Sequence, residues 1–261
     1  MNRQDLPDSI SVSQITLYLT CSLKYQFQYI DRLPRLTKPS NLAFGSAMHA
    51  ALQWLHRELK KGRRPPLEEV YRVFEGDWYA QRDSVTFDEN DPEEKLLVKG
   101  KELLALYYHE RVPKVGEAEF GFTLPLVSPR TEEALDVPLR GVIDLIEADG
   151  SIVEFKNAKK SLDPESLPDN LQLTAYHYAY EILFGEPPKD LKLIQFVRTK
   201  KPSVQTHFTY RDARDVERFF QIAKQVRKAI EAGIFVPNRG CWMCAGCEYQ
   251  QDCFEWTGNE R

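Results

Sequence analysis

Apolar residues along this chain follow two periods. Phe44, Met48, Leu52, Leu55 and Leu59 step by three or four, the stripe of an amphipathic helix. Gly62, Pro65 and Pro66 end it. Ser11 or Ser13 can cap an earlier helix carrying Ile15, Leu17, Tyr18 and Leu19, then Tyr25, Phe27, Tyr29 and Ile30. A loop punctuated by prolines follows at 33–40. Two more helices are predicted over 67–81 and 92–111, separated by a polar, acidic loop at 82–91. The period then changes to two. Ala118, Phe120, Phe122, Leu124 and Leu126 alternate with Glu117, Glu119, Gly121, Thr123 and Pro125, a half-buried strand. Strands at 139–147 and 151–156 follow, joined by the turn Ala148-Asp149-Gly150. A helix at 168–183, strands at 191–198 and 204–210, and a long amphipathic helix at 212–232 capped by Gly233 complete the pattern. Helices, then a three-strand meander, a helix, two strands and a helix describe an α/β core with helical additions on its N-terminal side.

The 261 residues, 42% hydrophobic and 28% charged, suit a globular protein with a sizeable core and exclude disorder and collagen-like architecture. One domain, or one with a small appendage, is expected. The polar first residues lead into no apolar segment, so no signal peptide is expected, and no stretch is long and apolar enough for a membrane span. A cytoplasmic protein is the expectation. With 35 basic and 39 acidic residues the formal charge is −4, so any contact with nucleic acid needs a local basic surface or a metal.

Chemistry concentrates at 139–156. Asp144 interrupts the apolar strand GVIDLIE, and Glu154 and Lys156 interrupt IVEFK. Strand period two puts Glu154 and Lys156 on one face, and a tight hairpin can bring Asp144 beside Glu154. Paired carboxylates suit Mg²⁺ or Mn²⁺, and a neighbouring lysine can steer a metal-activated water toward phosphate. Gln172 and Tyr176, four apart, share a helix face, and His49 lies one turn into the Phe44 helix. Each alone has a bland explanation: an exposed ion pair, a core histidine, a surface Gln–Tyr pair. Their order and joint spacing carry the weight.

Cysteine usage adds a second feature. Cys241, Cys244, Cys247 and Cys253 crowd the C-terminal end, and Cys21 stands alone near the other. An odd count with C-x2-C spacing argues for a metal or cluster over a disulfide framework. The local quartet Cys241, Cys244, Cys247 and Cys253 could bind zinc.

Taken together, SVSQITLYLTCSLKYQFQYI at 11–30, GSAMH at 45–49, GVID at 141–144, VEFK at 153–156, QLTAY at 172–176 and CAGCEYQQDC at 244–253 resemble a known family. The chain resembles RecB-type and Cas4-like PD-(D/E)xK nucleases, the iron–sulfur branch that includes the AddB C-terminal nuclease domain. That resemblance implies a restriction-endonuclease-like core, a central mixed sheet flanked by helices, with N-terminal helical additions and a Cys-rich C-terminal tail. It implies one nuclease domain over 1–261: mainly helical to 115, a catalytic α/β core over 116–210, and a helix plus cluster-binding tail over 211–261. His49, Asp144, Glu154 and the Phe155 carbonyl are the implied Mg²⁺ or Mn²⁺ ligands. Lys156 is the implied catalytic lysine, and Gln172 and Tyr176 position DNA and the catalytic groups. Glu119 stands on the preceding strand, where relatives often have an acid. Cys21, Cys244, Cys247 and Cys253 would hold a [4Fe–4S] cluster, leaving Cys241 spare, with zinc as the alternative. This chain departs from the family in Ile143 before Asp144, Asn157 after the lysine and Ser22 after Cys21.

The implied activity is a DNA exonuclease on single-stranded or frayed ends, serving repair, recombination or CRISPR-type processing. Rival functions are a DNA-end-binding subunit of a helicase or integrase complex, and a zinc-dependent nucleic-acid binder. No G-x-x-x-x-G-K-[ST] motif occurs, so helicase activity would come from a partner. Candidate phosphate contacts are Lys60, Lys61, Arg63, Arg64, Lys159, Lys160, Arg198, Lys200 and Lys201, and Tyr176, Tyr178 and Tyr180 could stack on bases.

Overall fold

The computed structural model describes residues 6–35, 37–87, 91–110, 113–241, 243–256 and 258. Along the chain run α1 (Val12–Thr20), α2 (Ser22–Tyr25), β1 (Lys38–Pro39), α3 (Ser40–Lys60), α4 (Leu67–Gln81), β2 (Val85–Thr86) and α5 (Glu93–Glu110). Then come β3 (Val115–Leu124), β4 (Leu139–Glu147), β5 (Ile152–Ala158), α6 (Leu171–Phe184), β6 (Leu191–Val197), β7 (Ser203–Thr209), α7 (Ala213–Glu231) and α8 (Gln250–Trp256). This is an α/β fold whose five-stranded sheet runs β3-β4-β5-β6-β7. Among the described residues no helix is long and apolar enough to cross a membrane.

The chain divides into two compact units. The larger comprises Lys38–Gly121 and Val142–Arg211 and holds most of the sheet. Strand β4 pairs antiparallel with β5, β5 parallel with β6, and β6 antiparallel with β7, so the sheet is mixed. A parallel neighbour requires a crossover, which α6 supplies. Every residue of β6 is buried, as expected of a central strand. Leu145, Val153, Phe155, Ile194 and Phe196 line one sheet face and pack with Phe44, Met48, Leu52, Phe74, Trp78 and Leu103 from α3, α4 and α5. Glu154 and Lys156 alternate with these residues, and so lie on the opposite face.

Three expectations shift here. The helix at 168–183 begins at Leu171, because the Asn170 side chain caps it by accepting the Leu173 N–H at 3.0 Å. The 82–91 segment contains a 3-10 turn and β2, which pairs parallel with β1; its residues 88–90 lie outside the described ones, as does the last residue of the helix expected at 92–111. Strand β3 ends before Pro125, and Glu119 within it takes φ +55°. A left-handed residue interrupts the two-residue alternation that the sequence pattern implied.

The smaller unit comprises Met1–Thr37, Phe122–Gly141 and Asp212–Arg261. Its α7 is capped by a reciprocal pair. Asp212 accepts the Asp215 N–H, and the Asp215 carboxylate accepts the Asp212 N–H. Arg227 of α7 binds Asp136 at 2.9 Å and the Pro7 carbonyl at 3.1 Å. The helix expected from Ile15 to Ile30 is broken. Ser11 caps α1 in a capping box with Gln14, but Cys21 is extended at φ −159°, ψ 101°. The lost helical bonds are replaced from afar: Leu23 N–H donates to the Val236 carbonyl at 3.2 Å, and Val236 N–H donates to Ser22 Oγ at 2.8 Å. Beyond α2, Gln26–Ile30 continues as a π-helical turn.

Candidate functional site

Where β4 and β5 separate, a cluster of ionisable groups forms within the larger unit. The strands pair Ile146 with Ile152 and Leu145 with Val153, so the next step of the same register sets Asp144 opposite Glu154. There a side chain takes over from the ladder: Asp144 Oδ2 accepts the Phe155 backbone N–H at 2.8 Å. A strand residue points its N–H and C=O to the same edge, so the Phe155 carbonyl faces this opening too. Asp144 Oδ1 lies 3.5 Å from Nδ1 of His49, on α3. Glu119 joins them, and one ligand atom each from His49, Glu119 and Asp144 lie within 4.8 Å of one another. The left-handed backbone at Glu119 is strained for a residue with a Cβ, and such strain is concentrated at functional sites.

Glu154 is only 7% exposed. Tyr176 of α6, also buried, hydrogen-bonds the Val142 carbonyl and lies in hydrogen-bonding reach of Glu154 and Gln172. The structure thus brings together His49, Asp144, Glu154, Gln172 and Tyr176, with Lys156 exposed on the same strand face as Glu154. Glu119, a minor candidate from sequence, is nearer the centre than its place in the strand pattern suggested. Nothing in the alternation of β3 signals its left-handed turn.

Electrostatics here are those of crowded acids. Burial, and then the Asp144 charge, push Glu154 up to about 8. Burial followed by Asp144 also raises Glu119. Burial opposes protonation of His49, but its contact with Asp144 and the charges of Asp144, Glu154 and Glu119 raise it on balance. Burial, then Glu154 and Asp144, raise the Tyr176 phenol. One imidazole and three carboxylates form a hard donor set short of positive charge, which fits a divalent cation such as Mg²⁺ or Mn²⁺.

Behind the site, sequence reasoning missed a buried support. His56, two helical turns beyond His49 on α3, stacks on Phe155 with ring centroids 5.4 Å apart and bonds the Tyr107 hydroxyl at 2.8 Å. Burial holds its pKa down at about 3, so it stays neutral. A lone histidine in an amphipathic stripe gives no sign of that partner.

The basic candidates separate into two groups. Lys60 pairs with Glu117, Lys61 and Arg63 pair with Glu58, and Arg64 lies over the Tyr108 ring. Lys159 pairs with Asp91 at 2.8 Å. Among the described residues, Lys160, Arg198, Lys200 and Lys201 have no carboxylate in ion-pair contact. Tyr176, Tyr178 and Tyr180 are buried, which leaves little ring surface for stacking on bases.

In the smaller unit, Cys21, Cys244, Cys247 and Cys253 line one cavity of about 200 Å³, walled by apolar groups including Leu23 and Phe27. The break after α1 turns Cys21 toward this space. Cys241 is not among the lining residues, but its Sγ lies 3.5 Å from that of Cys244. Lys24 and Glu248 form an ion pair of 2.7 Å beside the cavity. Burial raises the Cys247 thiol, a preference for the neutral form that binding of a cationic centre would reverse.

Among solved structures, the chain is similar to a candidate exonuclease from Eubacterium rectale, with a TM-score of 0.61 at 10% identity, over 91% of this chain and 87% of that one. That likeness is one of fold. It also aligns with SSO0001 at 12% identity, over 84% of this chain and 86% of that one, but the TM-score of 0.38 is too low to indicate a shared fold. No curated protein matches the sequence. The family model of the PD-(D/E)XK nuclease superfamily matches residues 9–254, which include both the carboxylate cluster and the four cavity cysteines. The chain belongs to the PD-(D/E)XK nuclease superfamily.

Proposed function

We propose that this protein is a metal-dependent deoxyribonuclease of the RecB- and Cas4-like branch, an exonuclease on single-stranded or frayed DNA ends. Its setting would be DNA repair, recombination or CRISPR-type processing. The observation that carries this reading is the convergence of His49, Glu119 and Asp144 within 4.8 Å, beside the buried Glu154 and two strand residues from Lys156.

His49, Asp144, Glu154 and the Phe155 carbonyl would hold Mg²⁺ or Mn²⁺, with Glu119 adjacent. A divalent ion there supplies Lewis-acid polarisation of a phosphate oxygen and lowers the pKa of a water. Lys156, exposed and on the strand face of Glu154, presents a cation that attracts the scissile phosphate and steadies the charge that grows on it during in-line attack. Tyr176, itself bonded to Gln172, borders the Glu154 carboxylate from the α6 side and limits how far it can reorganise as the reaction proceeds. Phe155, packed on His56, fixes the strand that carries both neighbours.

Cys21, Cys244, Cys247 and Cys253 would ligate a structural [4Fe–4S] cluster through four thiolates, tying residue 21 to the tail. Their shared cavity supports this reading. The 3.5 Å approach of Cys241 to Cys244 favours a second one, a zinc site made of Cys241, Cys244, Cys247 and Cys253.

The test is anaerobic purification with iron, sulfide and zinc analysis, followed by cleavage of end-labelled single-stranded and duplex DNA in Mg²⁺ or Mn²⁺. Stepwise shortening of the single strand is expected, with Lys156→Ala inactive. Full Mn²⁺-dependent activity in Lys156→Ala would overturn the mechanism.

A further inference from the structure

Among the described residues, the two buried arginines have hydrogen-bond partners. Arg211 donates to Thr174 Oγ1 at 2.8 Å, Thr209 Oγ1 at 2.7 Å, and the Tyr210 and Leu167 carbonyls at 2.7 and 2.9 Å. Arg227 is held by Asp136. Arg198 is different. Its guanidinium lies 4.5 Å over the Phe44 ring, and its Nε is sealed from solvent with no hydrogen-bond partner. Among the described residues no carboxylate reaches ion-pair distance. Asp91, the acid whose charge acts on it, is taken by Lys95 at 3.2 Å and Lys159 at 2.8 Å. Burial draws the Arg198 pKa down against the opposing pull of Asp91, the sign of a partly desolvated cation. A desolvated guanidinium nitrogen without a partner is costly, and an acceptor supplied by a ligand would offset that cost.

Its position says which ligand. Strands β5 and β6 are parallel and end at the same edge of the sheet, the edge at which α/β sheets bind ligands. The Arg198 N–H bonds the Ala158 carbonyl at 2.8 Å, which sets it two to three residues beyond Lys156, roughly 7–10 Å along the strand. Phe44, beneath the guanidinium, precedes His49 by five residues on α3, about 7.5 Å along that helix. Exposed Lys160, Lys200 and Lys201 flank the edge. A planar fork of donors suits a phosphate, which it can grip with two parallel bonds.

Resting on the nuclease reading above, we propose that Arg198, seated on Phe44 at the C-terminal end of β5 and β6, binds a phosphate of the DNA strand adjacent to the one cleaved. Arg198 is then a substrate-positioning group that holds the strand in register with Lys156. The phosphate is an internal phosphodiester or the terminal phosphate of a DNA end, and the two are separable.

The test is fluorescence anisotropy with 3′-labelled oligothymidylate carrying a 5′-hydroxyl or a 5′-phosphate, in Ca²⁺ and over about 50–200 mM salt. Wild type, Arg198→Met and Arg198→Lys are compared, with steady-state cleavage in Mn²⁺ alongside. Arg198→Met is expected to weaken binding about tenfold and raise KM with kcat within about twofold. Its salt slope should fall by about 0.7, the value for one lost single-strand contact, and Arg198→Lys should retain the slope. An effect confined to the 5′-phosphate probe assigns the subsite to a terminal phosphate, and an equal effect on both assigns it to an internal one. Arg198→Met gives up the contact with the Phe44 ring but keeps the packing of the side-chain stem, so its Tm should stay within about 4 °C of wild type. A larger fall in Tm, or a salt slope that Arg198→Met leaves unchanged while wild type cleaves DNA, overturns the subsite alone. A wild type that neither binds nor cleaves either probe overturns the nuclease reading together with it.

Discussion

Asp144 Oδ2 accepts the backbone N–H of Phe155 at 2.8 Å, so one carboxylate both ends the β4–β5 ladder and holds that strand opening apart. Its other oxygen faces His49. Asp144→Asn can keep the bond to Phe155 while removing the charge. We expect it to fold with a nearly unchanged Tm, to bind Mn²⁺ about 10–100-fold more weakly in calorimetric titration, and to lose cleavage. Wild-type Mn²⁺ affinity in this variant would exclude Asp144 as a ligand.

Glu154 gives the protein a pH signature. Its folded pKa, about 8, lies above the ordinary carboxylate value because of burial and the Asp144 charge. Between those two values the folded chain keeps a proton that the unfolded chain has released, so metal-free stability falls as pH rises through that window. The Tm of metal-free protein, followed by scanning fluorimetry, should therefore decline from about pH 5 to pH 8. Glu154→Gln should flatten that decline, and Mn²⁺ should bind more tightly as pH rises, releasing a proton. An equally steep decline in Glu154→Gln would assign the effect elsewhere.

Glu119 sets function against stability. Its φ of +55° costs a residue with a Cβ on the order of 1 kcal/mol, which glycine avoids. Glu119→Gly should thus raise or hold the Tm while weakening Mn²⁺ binding and cleavage. Thermal unfolding and activity measured on one preparation will show whether the two move in opposite directions; a fall in both would mean that the side chain serves the fold.

The cysteine sets are distinguished by substitution. Cys21→Ala should lose iron and sulfide on anaerobic purification, and Cys241→Ala should keep them, because Cys21 lines the shared cavity and Cys241 does not. The reverse result, with zinc retained in Cys21→Ala, is the outcome expected of the zinc knuckle.

Much of this was legible in one sequence. Period-two alternation around Asp144 and Glu154, with the turn at 148–150, was enough to indicate a hairpin that can bring the two carboxylates side by side, since a short hairpin leaves few alternative registers. The stripe from Phe44 to Leu59 located α3, the helix that carries His49. Such features are local, and local periodicity reports them.

Other features depend on partners distant in sequence, and no window contains those. The extended backbone at Cys21 is sustained by Val236, more than two hundred residues away, and an uninterrupted apolar pattern runs straight through it. Lys60 to Arg64 reads as a basic run until the fold supplies Glu58 and Glu117 to neutralise it. Arg198 reads as one more surface cation until Phe44 is found beneath it and, among the described residues, no acid in ion-pair contact with it. By itself, then, the sequence determined which elements form and which chemical groups they carry, because backbone periodicity and residue type are properties of short segments. Only the tertiary structure decided which charges are cancelled, which are left waiting, and which thiols share a cavity, because charge pairing and burial depend on distances between parts of the chain that folding alone brings together.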